Sequence, residues 1–546
     1  MRSLLALWFV LGSLAAQAQS TSTQWKITQP TWTERHERQF GEFVASIGQA
    51  VEKRHCGKVD SCMKSVANPY IKADPAGLKY YSDCADLPYY LRSYFAWKNG
   101  LPMSIVSEVK ARESSGLFNK DVRYNSGNVV AKRYDVVAKS GFMKTTFPNA
   151  LEILNEIIPS LTYSATYRMP GADAELFSDF YPSKLDRTGI RPGTVIYDPN
   201  GHVAIVYKVT DDGRVFYIDA HPDNSLTMGM FTPKFVRSNP GQGAGFKNFR
   251  PLTVVGASQD SNGVYVGGKI VGTPNTQLPG YGTEQFYGTQ PNTGGVWNKG
   301  QFILNNQSVN FYEYTRMKLS TGDMRIDPLV DMAQLTEDIC VSLKDRVAAV
   351  DESRTKGIYL KPHPARLPLN IYGTDGEWES YSTPSRDARL KVSFMDLLAQ
   401  TKSNIERFNI RDPSINYAGG NLAGDLLNVY AQKAQECQFS YTTTNGKTVT
   451  MNLEAARQRL FNMSFDPYHC VEKRWGARIP EELAACPDDA NKNAWYESQR
   501  WLRYQSERRY DARMDYSLAD LTGPMPGAGV DVPPDIDIVG YLKALR

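Results

Sequence analysis

Apolar residues recur at helical spacing toward both ends of the chain and at strand spacing between them. In Gly41–Cys56, Phe43, Ile47 and Val51 fall four apart, the period of one helix face. Residues 19–80 are therefore expected to be largely helical. A second helical run, Phe147–Leu161, should end near Pro159, which cannot continue a helix. The period then shortens. Thr194–Tyr197, His202–Val209 and Val215–Asp219 are β-rich runs, separated by Asp198–Pro199–Asn200–Gly201 and Asp211–Asp212–Gly213, both hairpin-type turn sequences. Gly245–Gly256 reads as a closing strand.

Residues 257–300 change character: Gly, Thr, Asn, Gln and Pro dominate and charges are few, as in a linker or a long irregular loop. Helical period returns after Gln301. Pro328–Val350 carries Met332, Leu335, Ile339, Leu343, Val347 and Val350 on one face, and Ser393–Phe408, Leu422–Cys437, Leu453–Phe461 and Asn493–Asp515 fit further helices. Asp375–Lys391 reads as a polar, aromatic loop, in which Trp378, Tyr381 and Arg386 either line a groove or simply cap the fold. The class is α+β. The expected division is a catalytic unit at 19–256, a linker or loop at 257–300, and a mainly helical domain of unknown role at 301–546.

Residues 1–18 add a compartment. Arg2, the apolar Leu4–Leu14 and the small-x-small Ala16–Gln17–Ala18 form a cleavable export signal, too short to span a bilayer comfortably. No cysteine follows the cleavage point, so no lipid anchor is expected. The remaining chain should be secreted or periplasmic, without a membrane span. Charge is near balance, 62 Lys and Arg against 58 Asp and Glu, which gives no reason to invoke nucleic acid.

Seven cysteines in an exported chain leave one over. Cys56 and Cys62 frame a short loop that can close on itself, Cys470 and Cys486 frame a Pro- and Gly-containing loop, and Cys340 and Cys437 are partners by elimination. A zinc reading exists, because His55 precedes Cys56 and His469 precedes Cys470. Adjacent residues usually point apart and no CxxC spacing occurs, so no metal and no cofactor are expected. The unpaired thiol is Cys84, at the mouth of an apparent helix. Asp83 can cap that helix, although Pro88 argues for a start one turn later. His202 opens a strand 118 residues on, and the next strand ends at Asp219, which antiparallel pairing would bring beside His202. His221 is a second candidate for that orienting role. A thiol, a base and an orienting acid outline a cysteine nucleophile.

With Asp83–Cys84, Pro192–Gly193–Thr194–Val195–Ile196–Tyr197, Gly201–His202–Val203–Ala204–Ile205–Val206 and Ile218–Asp219–Ala220, roughly residues 80–250 resemble the papain-like cell-wall hydrolases, the NlpC-type peptidases and CHAP domains. The resemblance implies a papain-like catalytic fold and cleavage of peptide or amide bonds in peptidoglycan through an acyl-enzyme. The chain departs from that pattern in Ala85–Asp86 after the cysteine, where a small pair such as Ser–Gly is usual, and in its long Cys-to-His interval. Transglutaminase-like cysteine proteases or acyltransferases share the Cys–His–Asp order and a Gly-Leu-Pro after the cysteine helix, here Gly100–Leu101–Pro102. A non-catalytic envelope-binding protein on the same fold is a further alternative. No feature of the sequence reports an oligomeric state.

Overall fold

The structure, a computed structural model, describes residues 22–112, 117–118, 121–142, 144–171, 176–304, 306–373, 376–522 and 529–546. The expected export signal lies outside them. Among the described residues no helix is long and apolar enough to cross a membrane.

Helix α1 (Glu34–Glu52) buries Phe43, Ile47 and Val51 on the predicted face. Residues 22–33 are extended rather than helical, making isolated bridges at Gln24, Ile27 and Thr31. Helix α2 (Asp86–Lys98) is buried along its whole length, which makes it the central helix of the body. Arg92 on α2 holds Glu37 on α1 with two hydrogen bonds of 2.8 and 2.6 Å, under the ring of Trp32. After α2 the sequence reading missed a hairpin, β1 (Met103–Lys110) and β2 (Val129–Val136). The run near Phe147–Leu161 is helical from Ala150 to Leu161 and passes through Pro159. It does so by widening to a π-helical turn over Ile153–Ile157, which accommodates the missing donor and the ring.

Six antiparallel strands form the main sheet: β3 (Phe180–Pro182), β4 (Val195–Asp198), β5 (His202–Val209), β6 (Val215–Ala220), β7 (Leu226–Met230) and β8 (Gly245–Phe249), in the order β3-β8-β4-β5-β6-β7. The hairpin turn between β4 and β5 is made possible by Gly201, whose φ of 87° suits glycine. Strand alternation sends Val203, Ile205 and Tyr207 into one core and Ala204 and Val206 into another. That is why β5 is apolar throughout: neither face meets water. Helices α1 and α2 cover the first face. Gly48 lets α1 approach closely, since a Cβ there would lie 2.1 Å from the Tyr207 ring.

The second face corrects the expected division of the chain. It is covered by Phe302, Phe311, Tyr314 and Leu319, from the half expected to be a separate domain. The long helices α3 (Pro328–Thr355), α4 (Pro384–Asn409) and α5 (Leu422–Glu436) share one contiguous buried cluster with α1, α2 and the sheet. Residues 257–300 do not span between two bodies. Lys269–Gly272 pairs with Leu252–Val255, Tyr265 pairs with Ile27, and buried Gln285 bonds to the backbone of Ser183 and Phe246. Their low charge, which suggested a linker, suits a segment laid against a core.

Helix α4 starts nine residues earlier than expected, at Pro384, because proline is well placed in a first helical turn. Most of the expected loop 375–391 is therefore helix, including Gly376–Tyr381. Asn493–Asp515 breaks into Ala490–Ser498 and Arg500–Arg503 followed by irregular chain. Three disulfides join Cys56–Cys62, Cys340–Cys437 and Cys470–Cys486, the pairing expected, and the sulfurs of the considered zinc sites are thereby engaged with each other. Three disulfides suit an oxidising compartment.

The two halves also meet in buried ion pairs. Asp338 on α3 accepts from Lys234 Nζ at 2.7 Å and from the Met230 backbone N–H at 3.0 Å, and Arg508 pairs with Asp198 at the end of β4 at 2.9 Å. A chain ending at Gly256 should consequently melt without a cooperative transition. In the full chain, Asp338→Ala should cost about 3–5 kcal/mol, because it strands a buried ammonium. Urea unfolding followed by tryptophan fluorescence reads both. A sharp transition for residues 19–256 would establish independent cores instead.

Candidate functional site

Cys84 is the free cysteine among the described residues and keeps part of its surface accessible. Its position is fixed from both sides. Upstream, Asn224 adopts a left-handed conformation (φ 66°) in the loop after β6; its amide donates to the Tyr80 carbonyl at 3.0 Å and accepts from the Ser82 N–H at 3.3 Å. Downstream, Asp83 Oδ1 accepts from the N–H groups of Ala85 and Asp86 at 2.8 and 3.0 Å, and the Asp83 carbonyl accepts from Leu87. Asp83 therefore caps the helix start, as expected. Regular helix begins at Asp86 because Pro88 has no N–H to return to the Cys84 carbonyl. The Cys84 N–H itself has no hydrogen-bond partner among the described residues.

Antiparallel pairing of β5 with β6, in the register Ile205 to Ile218, brings Asp219 beside His202. His202 Nε2 lies 3.0 Å from Asp219 Oδ2, which leaves Nδ1 as the ring's second site. Cys84 and His202 line one cavity, and the Val203 N–H, next in the chain, favours the Cys84 thiolate. His221 Nε2 is 3.9 Å from Asp219 and is engaged with Thr227 Oγ1 at 3.1 Å; Thr227 in turn donates to Asp219 Oδ1 at 2.5 Å. Thr227 thus stands between His221 and Asp219, whereas His202 meets Asp219 directly.

Burial dominates the ionisation of this group. It pushes the Cys84 thiol up to about 12, with the neighbouring Asp83 charge adding to the rise and the Val203 N–H opposing it. Burial lowers the His202 imidazole below its usual value against the raising effect of its Asp219 hydrogen bond, and the Arg389 charge lowers it further. Burial would also raise the Asp219 carboxyl, but its hydrogen bond from His202 and the imidazole charges hold it well below the usual carboxylate range. At neutral pH the resting set is thus a thiol, a neutral imidazole and a carboxylate.

Cys84, His202, Asp219 and His221 line a cavity of about 220 Å³ whose far wall belongs to the C-terminal half: Asp338 and Asp345 from α3, Arg386 and Arg389 from α4. Arg386 also lines a neighbouring cavity of about 210 Å³ with Gly201, Tyr124, Tyr372, Trp378 and Tyr510. Trp378 and Arg386 therefore do face cavities, whereas Tyr381 packs beside the Trp378 cluster instead. The wall residues Asp338, Asp345 and Arg389 were missed by the sequence reading. The available signal was Thr383–Pro384, a helix start that puts Arg386 and Arg389 on one face, three apart. Comparison with known protein families, with curated proteins and with solved structures returned no match to this chain.

Alkylation of the native, unreduced protein should mark Cys84 alone. Its rate should keep climbing about tenfold per pH unit from about pH 7 to beyond about pH 10, because a thiol titrating at about 12 is still deprotonating there. Peptide mapping by mass spectrometry reads both expectations. A rate plateau below about pH 8 would mean a thiolate already formed at rest.

Proposed function

We propose that the protein is an exported cysteine hydrolase that cleaves peptide or amide bonds, with the peptides of peptidoglycan as its substrate class. The observation that carries this reading is the placement of the unpaired thiol, a neutral imidazole and a carboxylate along one cavity. A cysteine just before a buried helix, in one cavity with a histidine and an aspartate on adjacent antiparallel strands, supports the resemblance to papain-like, NlpC-type and CHAP hydrolases. The three disulfides suit an enzyme working outside the cytoplasm.

In this reading the Cys84 sulfur forms a bond to the substrate carbonyl carbon while its proton passes to His202. The lowered imidazole pKa keeps His202 in its neutral, accepting form through the neutral range. A proton moving in concert with attack suits a thiol that is not ionised at rest. The unpartnered Cys84 N–H is available to the developing oxyanion. The imidazolium, steadied by Asp219, then returns the proton to the departing amine nitrogen, leaving a thioester on Cys84. Water attacks the thioester, giving its proton to His202; the carboxylic acid leaves and the sulfur regains its proton.

Digestion of purified peptidoglycan, with mass analysis of the released fragments, tests the proposal. Cys84→Ala and His202→Ala should abolish release while keeping a cooperative melting transition, at a lower temperature for His202→Ala because buried Asp219 loses its partner. Asp219→Asn should lower kcat roughly 100-fold and leave measurable turnover, since an orienting group contributes less than the nucleophile. His221→Ala should be milder still. Undiminished release by Cys84→Ala would refute the assignment, and a His221 variant worse than the Asp219 variant would reassign the third member.

A further inference from the structure

Arg386 and Arg389 stand three residues apart in the first turns of α4, where the helix dipole disfavours cations. Both are half-buried, and both face the cavity that holds Cys84 and His202. Neither has a carboxylate within 4 Å or a hydrogen-bond acceptor among the described residues, unlike Arg346, Arg316 and Arg508 nearby in the C-terminal half, which each pair with aspartate. The other charges lining this cavity are spoken for. Lys234 is neutralised by Asp338, and Asp219 remains a carboxylate engaged by hydrogen bonds to the neutral His202 and to Thr227. Asp345 is unpaired, with its carboxyl raised by burial to about 6, so beyond Asp338 the cavity holds two carboxylates, Asp219 and Asp345, and neither lies within 4 Å of either guanidinium group. A half-buried guanidinium without a partner is costly, and a planar fork of donors matches a carboxylate.

We propose that Arg386 and Arg389 form a carboxylate subsite, and that the substrate is a peptide bearing a free carboxylate close to the scissile amide. This rests on the hydrolase reading only for what is done to that peptide; the anion site stands on the C-terminal wall itself. A cavity of about 220 Å³ leaves room for little beyond the residues flanking the cleaved bond, so the carboxylate belongs to one of them. It is either a C-terminal α-carboxylate or an acidic side chain, and the two share the same chemistry. The subsite also gives the C-terminal half a task, selection of substrate over the thiol of the N-terminal half. Arg389 is near enough for its charge to bear on both Cys84 and His202.

The test uses Cys84 as its own reporter. In the native, unreduced full chain at mildly alkaline pH, rates of alkylation by iodoacetate and iodoacetamide are compared with those of the same chain unfolded in urea. The expected iodoacetate-to-iodoacetamide ratio is about tenfold higher in the native chain, the size of one charge-assisted contact. Arg386→Gln with Arg389→Gln should return the ratio to the unfolded value, and Arg389→Lys should restore part of it. A native ratio equal to the unfolded one, or one unchanged in the double variant, would overturn the subsite. Succinate provides a second readout that does not need a reactive thiol: it should raise the melting temperature of the native chain more than succinamide does, and not that of the double variant. Equal shifts would also overturn the subsite. Substrate pairs then separate the two sources, C-terminal acid against C-terminal amide, and Glu against Gln beside the scissile bond. The preferred acid in one pair names the source, and no preference in either overturns the substrate claim. Hydrolysis without anion preference would leave the hydrolase reading standing and remove this one; anion preference with hydrolysis that survives Cys84→Ala would do the reverse.

Discussion

Asp338 determines how this molecule is put together. It projects from α3 of the C-terminal half and takes both the Lys234 ammonium and the Met230 N–H at the edge of the main sheet. A buried ion pair adds little net stability compared with apolar packing, but separating its partners leaves an uncompensated buried charge, which disfavours arrangements that part them. Here that arrangement lays α3 across the sheet edge and places Asp345 and the first turns of α4 over the thiol. The candidate site is therefore composite: Cys84, His202 and Asp219 come from residues 84–219 and the far wall of their cavity from residues 338–389.

Burial under that wall sets the chemistry. Desolvation keeps the thiol protonated and the imidazole neutral, and Asp219 stays ionised because His202 and Thr227 both donate to it. In the proposed hydrolysis, proton transfer would thereby be tied to bond formation rather than completed beforehand. Arg386 and Arg389, which have no carboxylate within 4 Å among the described residues, line the same cavity as Cys84 and His202.

Much of the candidate site was legible in the sequence. The odd cysteine, the Asn200–Gly201 turn before His202 and the alternation through β5 and β6 are local signals, and local signals survive folding. Strand spacing alone brought Asp219 beside His202. The Cys340–Cys437 pair followed from counting. Other features were not legible because they depend on what packs against a segment. Residues 257–300 read as a linker because their composition lacks charge, yet Gln285 is among the most buried side chains. The polar run at 375–391 read as a loop because its outward-looking residues face a cavity rather than solvent. The covering of the second sheet face by Phe302, Phe311 and Tyr314 has no sequence signal, since apolar residues do not reveal which core they join.

The central claim is that the Cys84 sulfur becomes acylated by an amide substrate. Acid quenching during turnover of peptidoglycan peptides, followed by intact-mass measurement and mapping of the adduct, addresses it directly. The account predicts an added mass equal to the acyl fragment, lost on treatment with neutral hydroxylamine and mapped to Cys84. Turnover with no adduct on Cys84, or with an adduct on another residue, would contradict it.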